Sequence, residues 1–287
     1  MGHEVAPVRN NWLRRQYFGH LLRTEQSWLL ALLGNSEDVA PATGSETEFG
    51  VFQNDPLLPA HAAGQSVVAE LQRLFPGQAT PELVRANGEV LTVEQPLANG
   101  TPFGSTLADL TRKLGAAQNA AQRHGARIGL VGFPGTWGLA YNGGMRGLLV
   151  PMKRYETYVK RMPSWDLTIP GIDGPIHVHA ETVGGVGGCL AFQFTLDVPE
   201  TQLHRFYDAA SVWAGLHRAL MPNTPFAFGR ESRMHDSRWD VFTTGTRFDN
   251  RYRTFVGPTW THSPQGVMEA IFGQVGRRSV FLDASRK

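Results

Sequence analysis

The sequence predicts an α+β protein, and three observations carry that reading. Alternating apolar and polar residues mark strand-like runs at 44–52, 88–93 and 191–197. Apolar residues at helical spacing mark helices beginning at Thr106, after Pro199 and at Ser263. The two kinds of segment alternate along the chain with no internal repeat and no low-complexity tract.

Asn11 to Leu33 carries Trp12, Tyr17, Leu21, Trp28 and Leu32 at roughly helical intervals, which predicts one or two amphipathic helices forming an N-terminal appendage over residues 1–40. A polar, small-residue stretch from Asn35 to Gly44 separates it from the domain expected over 41–287. Gly44 to Phe52 then sets Glu46 and Glu48 two residues apart at the head of an apolar run. Residues i and i+2 of a strand share one face, so the two carboxylates stand side by side and repel. A cation relieves that repulsion, and Mg²⁺, which takes hard oxygen ligands and phosphate, is the one this pattern suggests. The plainer alternative is a solvated polar face on a half-buried strand. Thr80 to Val84, a Gly-containing break and Gly88 to Val93 follow, placing Glu82 and Glu89 at or beside further strand ends. Four carboxylates could hold two or three cations around a triphosphate, provided that the strands are neighbours.

From Thr106, expected as a cap with Asp109 three residues on, Leu107, Leu110, Leu114, Ala117 and Ala121 define a helical stripe reaching Gly125. Ile128 to Phe133 reads as a strand. The Gly/Pro-rich stretches 132–147, 163–175 and 182–188 read as loops able to close over a site. In Ala191 to Asp197, Phe192, Phe194 and Leu196 alternate with Gln193, Thr195 and Asp197, so Gln193 points away from the core side. Pro199 suits the first turn of a helix bearing Leu203, Phe206, Ala210, Trp213 and Leu220 on one stripe. Ser263-Pro264 opens another with Val267, Ile271 and Val275.

Composition narrows the function classes. The chain has 287 residues, 41% hydrophobic, enough for a substantial core in one large or two modest domains. Its 27 basic and 25 acidic residues leave a formal charge of +2, too balanced and too scattered to favour nucleic acid or an anionic membrane. A single cysteine, Cys189, rules out an internal disulfide and fits a reducing compartment. No secretory signal pattern opens the chain, and no apolar run approaches the ~20 residues that span a bilayer. The expectation is a soluble cytoplasmic protein.

Several motifs read better as structure than as chemistry. Gly184 to Gly188 leads into a strand-like run rather than a helix, so a hairpin or lid is favoured over a phosphate loop. His177 and His179 share a strand face but lack a third ligand at zinc spacing, which favours a polar sheet face. Cys189 lies among glycines and apolar residues, as a small buried hydrophobe does, and no G-x-S-x-G elbow occurs. Arg230, Arg233 and Arg238 lie within nine residues in a loop-like context, and each guanidinium suits phosphate or carboxylate as well as a surface ion pair.

Gly-x-Glu-x-Glu-Phe at 44–49 resembles the first strand of the carboxylate–amine ligases of the glutamate–cysteine ligase type 2 group, in the glutamine synthetase-like superfamily. Later segments agree in order: Glu82 and Glu89 with Thr92, the strand from Ile128, Val150 to Tyr155 around an Arg-Tyr pair, Phe192 to Asp197, Pro222 to Phe226 with Gly229-Arg230, and Ser237-Arg238 with Phe242. The resemblance covers roughly residues 43 to 285 and implies a glutamine synthetase-like antiparallel or mixed sheet with helices packed on one face. It further implies ATP and Mg²⁺ as cofactors, Glu46, Glu48, Glu82 and Glu89 as metal ligands, Gln193, Asn223 and Arg233 at the nucleotide, and Arg238 and Arg230 as catalytic residues. The implied reaction joins a carboxylate to an amine of a small amino acid or peptide through an acyl phosphate. Members of the group usually continue beyond this length, so a substrate side completed by other elements, a protein partner or a second copy is expected. A non-catalytic ligase-like subunit, a peptide-recognition protein and a phosphotransferase are the alternatives.

Overall fold

The structure, a computed structural model, describes residues 41–54, 58–98, 100–138, 148–161, 164–181, 183–220 and 223–245. The helices expected at 11–33 and from Ser263 lie outside the described residues. In chain order the elements are β1 (Ala42–Gln53), α1 (His61–Leu74), β2 (Ala79–Pro81), β3 (Asn87–Leu91), β4 (Gln95–Pro96), α2 (Pro102–Arg123), β5 (Ala126–Gly129), α3 (Lys153–Arg161), β6 (Trp165–Ile169), β7 (Ile176–Ala180), β8 (Phe192–Asp197), α4 (Leu203–Leu220), β9 (Phe226–Ala227), β10 (Arg230–Glu231) and α5 (Arg238–Gly245). The protein is α+β, as the sequence predicts, with a mostly antiparallel sheet. Among the described residues no helix is long and apolar enough to cross a membrane.

The chain divides into two compact units: Pro41–Asp197 with Met221–Arg247, and Met1–Ala40 with Val198–Leu220 and Phe248–Lys287. Of the second, the described part is a 3-10 turn at Glu200–Gln202 and α4. The expected stripe on α4 is not uniformly buried, since Phe206 and Trp213 are exposed.

The first unit is organised by β1. Its twelve residues pair antiparallel with β3 over Glu46 to Gly50, with β8 over Ala42 to Thr47, with β5 over Gly50 to Gln53 and with β4 at Ala42 and Thr43. β2 extends the sheet beyond β3. One face of β1 buries Phe49 and Val51 against Val90 of β3, Val67 and Leu71 of α1, and Ala117, Ala120 and Ala121 of α2. Each fully buried Val, Leu or Phe contributes about 1.5–3 kcal/mol. The alternate residues Glu46 and Glu48 therefore project to the opposite face, away from α1 and α2.

The stretch 163–175, read as a loop, contains strand β6, since Trp165 to Ile169 pair with β7, and the helix α1 carries no expectation in the sequence reading. Three further boundaries differ. α2 starts at Pro102, one turn before Thr106, because proline is well suited to a first turn. Thr106 is inside the helix and donates back to Pro102 O at 2.9 Å, and the buried stripe includes Thr106 and Lys113 while Leu107 is exposed. Buried Lys113 donates to Asp109 Oδ2 at 2.6 Å and to Leu91 O at 2.5 Å, tying α2 to the end of β3. β5 occupies Ala126–Gly129 rather than 128–133, since it must pair with the last residues of β1. Val183–Gly188 is a 3-10 turn whose residues Gly184 to Gly188 are buried, not an open lid. A Cβ on Gly187 would stand 2.4 Å from Val84 Cγ2, and one on Gly188 2.7 Å from the Trp137 ring. Packing, not phosphate, accounts for these glycines.

β6 and β7 form a separate hairpin with Trp165, Ile169, Ile176, Val178 and Ala180 buried and the alternate residues exposed. His179 Nδ1 lies 2.7 Å from Asp166 Oδ1, and His177 Nδ1 lies 3.1 Å from Thr168 Oγ1. The two histidines lie on the polar face, as the sequence reading favours.

Candidate functional site

Glu48 of β1 stands directly opposite Glu89 of β3 in the antiparallel register. Like charges at a cross-strand pair oppose pairing, so the sheet places them there against its own stability. Glu89 is in turn opposite Thr80 of β2, and Glu82 follows that strand by one residue past Pro81. One carboxylate oxygen from each of Glu48, Glu82 and Glu89 lies within 4.8 Å of the others. Glu46 joins them on the same strand face, and its carboxyl acts on that of Glu89. All four acidic residues singled out in the sequence thus come together, and Glu89 is buried while Glu46, Glu48 and Glu82 are half-buried.

The electrostatics follow from the crowding. Burial, then the Glu82 charge, pushes Glu48 up to about 8 in spite of the Ala191 N–H, which donates to Glu48 Oε2 at 2.7 Å. Burial, then the charges of Glu82 and Glu46, raises Glu89 to about 7. Glu82 is also raised, by burial first, with the Leu83 N–H and Arg154 working against it. Without a cation the cluster keeps protons at neutral pH.

The donor set fits Mg²⁺. Its ligands are hard oxygens, and the ligand oxygens of one ion at ~2.1 Å stand about 3–4 Å apart, a spacing that the three carboxylates approach. Gln193 is the register partner of Glu46 on β8, and its Nε2 lies 3.5 Å from Glu48 Oε1, at the margin of a hydrogen bond. It faces the cluster, as the family resemblance implies.

Arg238 opens α5 and donates from Nη1 to Leu190 O at 2.6 Å. Its charge draws Glu48 down against the stronger effect of burial. Ser237 fixes this approach: its Oγ donates to Thr224 O and Phe226 O, both at 2.9 Å, pinning the Asn223 to Phe226 segment to the head of α5. Asn223 and Arg238 converge on Gly132, where a Cβ would stand 2.6 Å from Asn223 Oδ1 and 3.5 Å from Arg238 Cδ. Half-buried Cys189 donates weakly to Arg238 O at 3.7 Å, and desolvation of its thiol pushes it well above the usual range, which suits packing rather than nucleophilic attack.

Arg230 and Arg233 stand apart from the cluster. Phe228 and Gly229 both have positive φ, 51° and 80°, the tight turn that joins β9 to β10. That turn sends Arg230 to the β6–β7 connection, where it donates to Pro175 O at 3.2 Å and Asp173 O at 3.4 Å. Arg233 is exposed, and its backbone N–H donates to Pro170 O.

One group beside the acids carries no assignment in the sequence reading. Arg154, on α3, acts on the charges of both Glu82 and Glu89. A bridge between Val84 and Leu149, with the Val150 N–H donating to Leu83 O at 3.0 Å, brings the head of α3 beside the turn that carries Glu82. The Arg-Tyr pair is visible in the sequence, but nothing local reveals that contact.

Set against known proteins, residues 42–269 match the family described as glutamate-cysteine ligase family 2. A search of curated proteins finds no match.

Proposed function

The chain belongs to glutamate–cysteine ligase family 2, whose members are carboxylate–amine ligases, and we propose that it is an ATP- and Mg²⁺-dependent ligase forming an amide bond of the peptide or γ-glutamyl type. The observation that carries the proposal is the gathering of Glu48, Glu82 and Glu89 from three chain segments, with two of them opposed in one sheet register. A sheet that sets acid against acid at a half-buried position gains a purpose if the acids hold cations.

In this reading Glu48, Glu82 and Glu89 hold the metal, with Glu46 completing the set beside Glu89. When bound, ATP would supply the γ-phosphoryl group that turns a carboxylate into an acyl phosphate with release of ADP, an amine would then displace phosphate, and Mg²⁺ would offset the phosphate charge. The Ala191 N–H fixes the Glu48 carboxyl, and Gln193 offers an amide oxygen to the cation or an amide N–H to phosphate. Arg238, held by Leu190 O, presents its charge on the Glu48 side, where it would offset charge developing during transfer. Asn223, converging with Arg238 on Gly132, would contact the nucleotide. Arg230 is not carried into this scheme, because the β9–β10 turn directs it to the β6–β7 connection. A protein nucleophile is not required, since positioning and electrostatics perform such transfers. The substrates would be an amino acid or peptide and an amine, and dependence on ATP would place the activity in the cytoplasm.

The test is phosphate release from ATP and Mg²⁺ with pools of amino acids and peptides. The proposal expects release that depends on both an acid and an amine, with an amide product by mass spectrometry. A stable phosphorylated acid without amide would favour the phosphotransferase alternative, and silence with no nucleotide binding would remove the ligase reading.

A further inference from the structure

Each side of the acidic cluster is closed by an arginine tied to a backbone carbonyl next to a metal-ligand contact. Arg238 donates to Leu190 O, whose neighbour Ala191 holds Glu48. Arg154 donates from Nη2 to Pro81 O at 3.4 Å, and the next residue is Glu82. The two do not address the same acids: Arg238 acts on the charge of Glu48, Arg154 on those of Glu82 and Glu89.

Arg154 is held in place by more than charge. Its guanidinium lies 4.5 Å over the ring of Tyr155, and Nη2 also donates to the Tyr155 hydroxyl at 2.5 Å. Tyr155 is buried and its own hydroxyl donates to Pro81 O at 3.2 Å. Stacking and two acceptors fix the plane of the group, which lowers the entropy lost when it binds an anion. Yet the side chain is exposed, and among the described residues Nε and Nη1 have no hydrogen-bond partner. A rigid, partly unsatisfied guanidinium at the rim of a cation site suits an oxyanion.

A reaction that phosphorylates a carboxylate must hold two anions across one metal cluster, the triphosphate and the acid itself. With Arg238 on the Glu48 side serving the phosphoryl group, we propose that Arg154 anchors a carboxylate of the acid substrate on the Glu82 side; this rests on the ligase reading above. Arg154 then selects for an anionic substrate rather than driving the transfer.

The experiment is calorimetry on the full chain and on Arg154→Gln and Arg154→Lys, with three probes: Mg²⁺ alone, Mg²⁺ with a non-hydrolysable ATP analogue, and α-amino acids, L-glutamate among them, added to the nucleotide complex. The proposal expects Arg154→Gln to weaken amino-acid binding by about tenfold or more, the loss of a charge-assisted hydrogen bond. Nucleotide affinity should stay within about twofold, and Mg²⁺ should bind no more weakly because a competing positive charge is gone. Arg154→Lys should recover part of the loss, and it supplies the comparison if Arg154→Gln does not fold. Amino-acid binding that is unchanged, a loss confined to the nucleotide, or equal loss of both would each overturn the assignment while leaving the ligase reading standing. A wild-type chain that binds neither nucleotide nor amino acid would overturn both.

Discussion

Glu48 is the residue at which the account is most exposed to test. Its carboxyl titrates near 8 in the fold against about 4.5 in an unfolded chain, so between those values the folded protein holds a proton that the unfolded chain has lost. Stability without a divalent cation must therefore fall as pH rises from about 4.5 through about 8, and Glu89, raised to about 7, adds to the same slope. Melting profiles across that range should show the decline, and Mg²⁺ should reverse most of it at pH 8. Glu48→Gln, which cannot ionise, should be more stable than wild type at pH 8 without Mg²⁺ by about 1–3 kcal/mol, allowing for partial solvent screening. The same variant should lose nucleotide-dependent turnover. A flat profile in the wild type, together with full activity in the variant, would mean that Glu48 is not a ligand. At this scale the sequence was informative where the chemistry is local: the i, i+2 pair of Glu46 and Glu48 defines a face before any fold is known. The place of Gln193 beside these acids came from the family resemblance, since alternation alone set it only away from the core side. The destination of Arg230 did not, because the Phe228-Gly229 turn, with a non-glycine residue at positive φ, reverses the chain in a way that composition does not announce.

Among the elements, α1 and α2 matter because they press β1 and β3 into register from behind. Gly64 of α1 lies so close to the turn before β3 that a Cβ there would stand 2.3 Å from Arg85 O and 2.8 Å from Ala86 Cα. The obstacle is backbone, so it cannot turn aside. Gly64→Ala should cost about 1–3 kcal/mol by overpacking and, through the displaced hairpin, loosen Mg²⁺ binding at Glu89, as melting and cation titration on one sample will show. Wild-type behaviour in both would disconnect the helix from the site. On α2, Asp109→Ala would strip buried Lys113 of its carboxylate partner and should destabilise the protein by about 3–5 kcal/mol in the same melting assay. The type of α2 was legible from its periodicity, whereas α1 carries no expectation in the sequence and β6 reads there as a loop; the start of α2 was misjudged because Thr106 resembles a cap and in fact returns its hydroxyl to Pro102. The buried Gly184 to Gly188 turn reads in the sequence as a hairpin or lid, since a glycine run carries no signal of the bulky Trp137, Phe133 and Val84 that exclude side chains there.

For the molecule as a whole, the fold converts sequence-distant acids into one site by threading a single long strand through the centre of its sheet. β1 brings Glu46 and Glu48, β3 brings Glu89, the end of β2 brings Glu82 and β8 brings Gln193. The α+β class and the family could be read from collinear motifs, but the meeting of Arg154 with Glu82 depends on a bridge between residues 84 and 149 that no local pattern encodes. The central claim, that these carboxylates are kept in repulsion for a cation, is tested most directly by titrating Mg²⁺ into the protein at pH 7 in two buffers of different ionisation heat. Because Glu48 and Glu89 hold protons near neutrality, binding should release about one proton or more per cation, seen as a buffer-dependent heat that Glu48→Gln diminishes. Binding without proton release, or no binding at all, would contradict it.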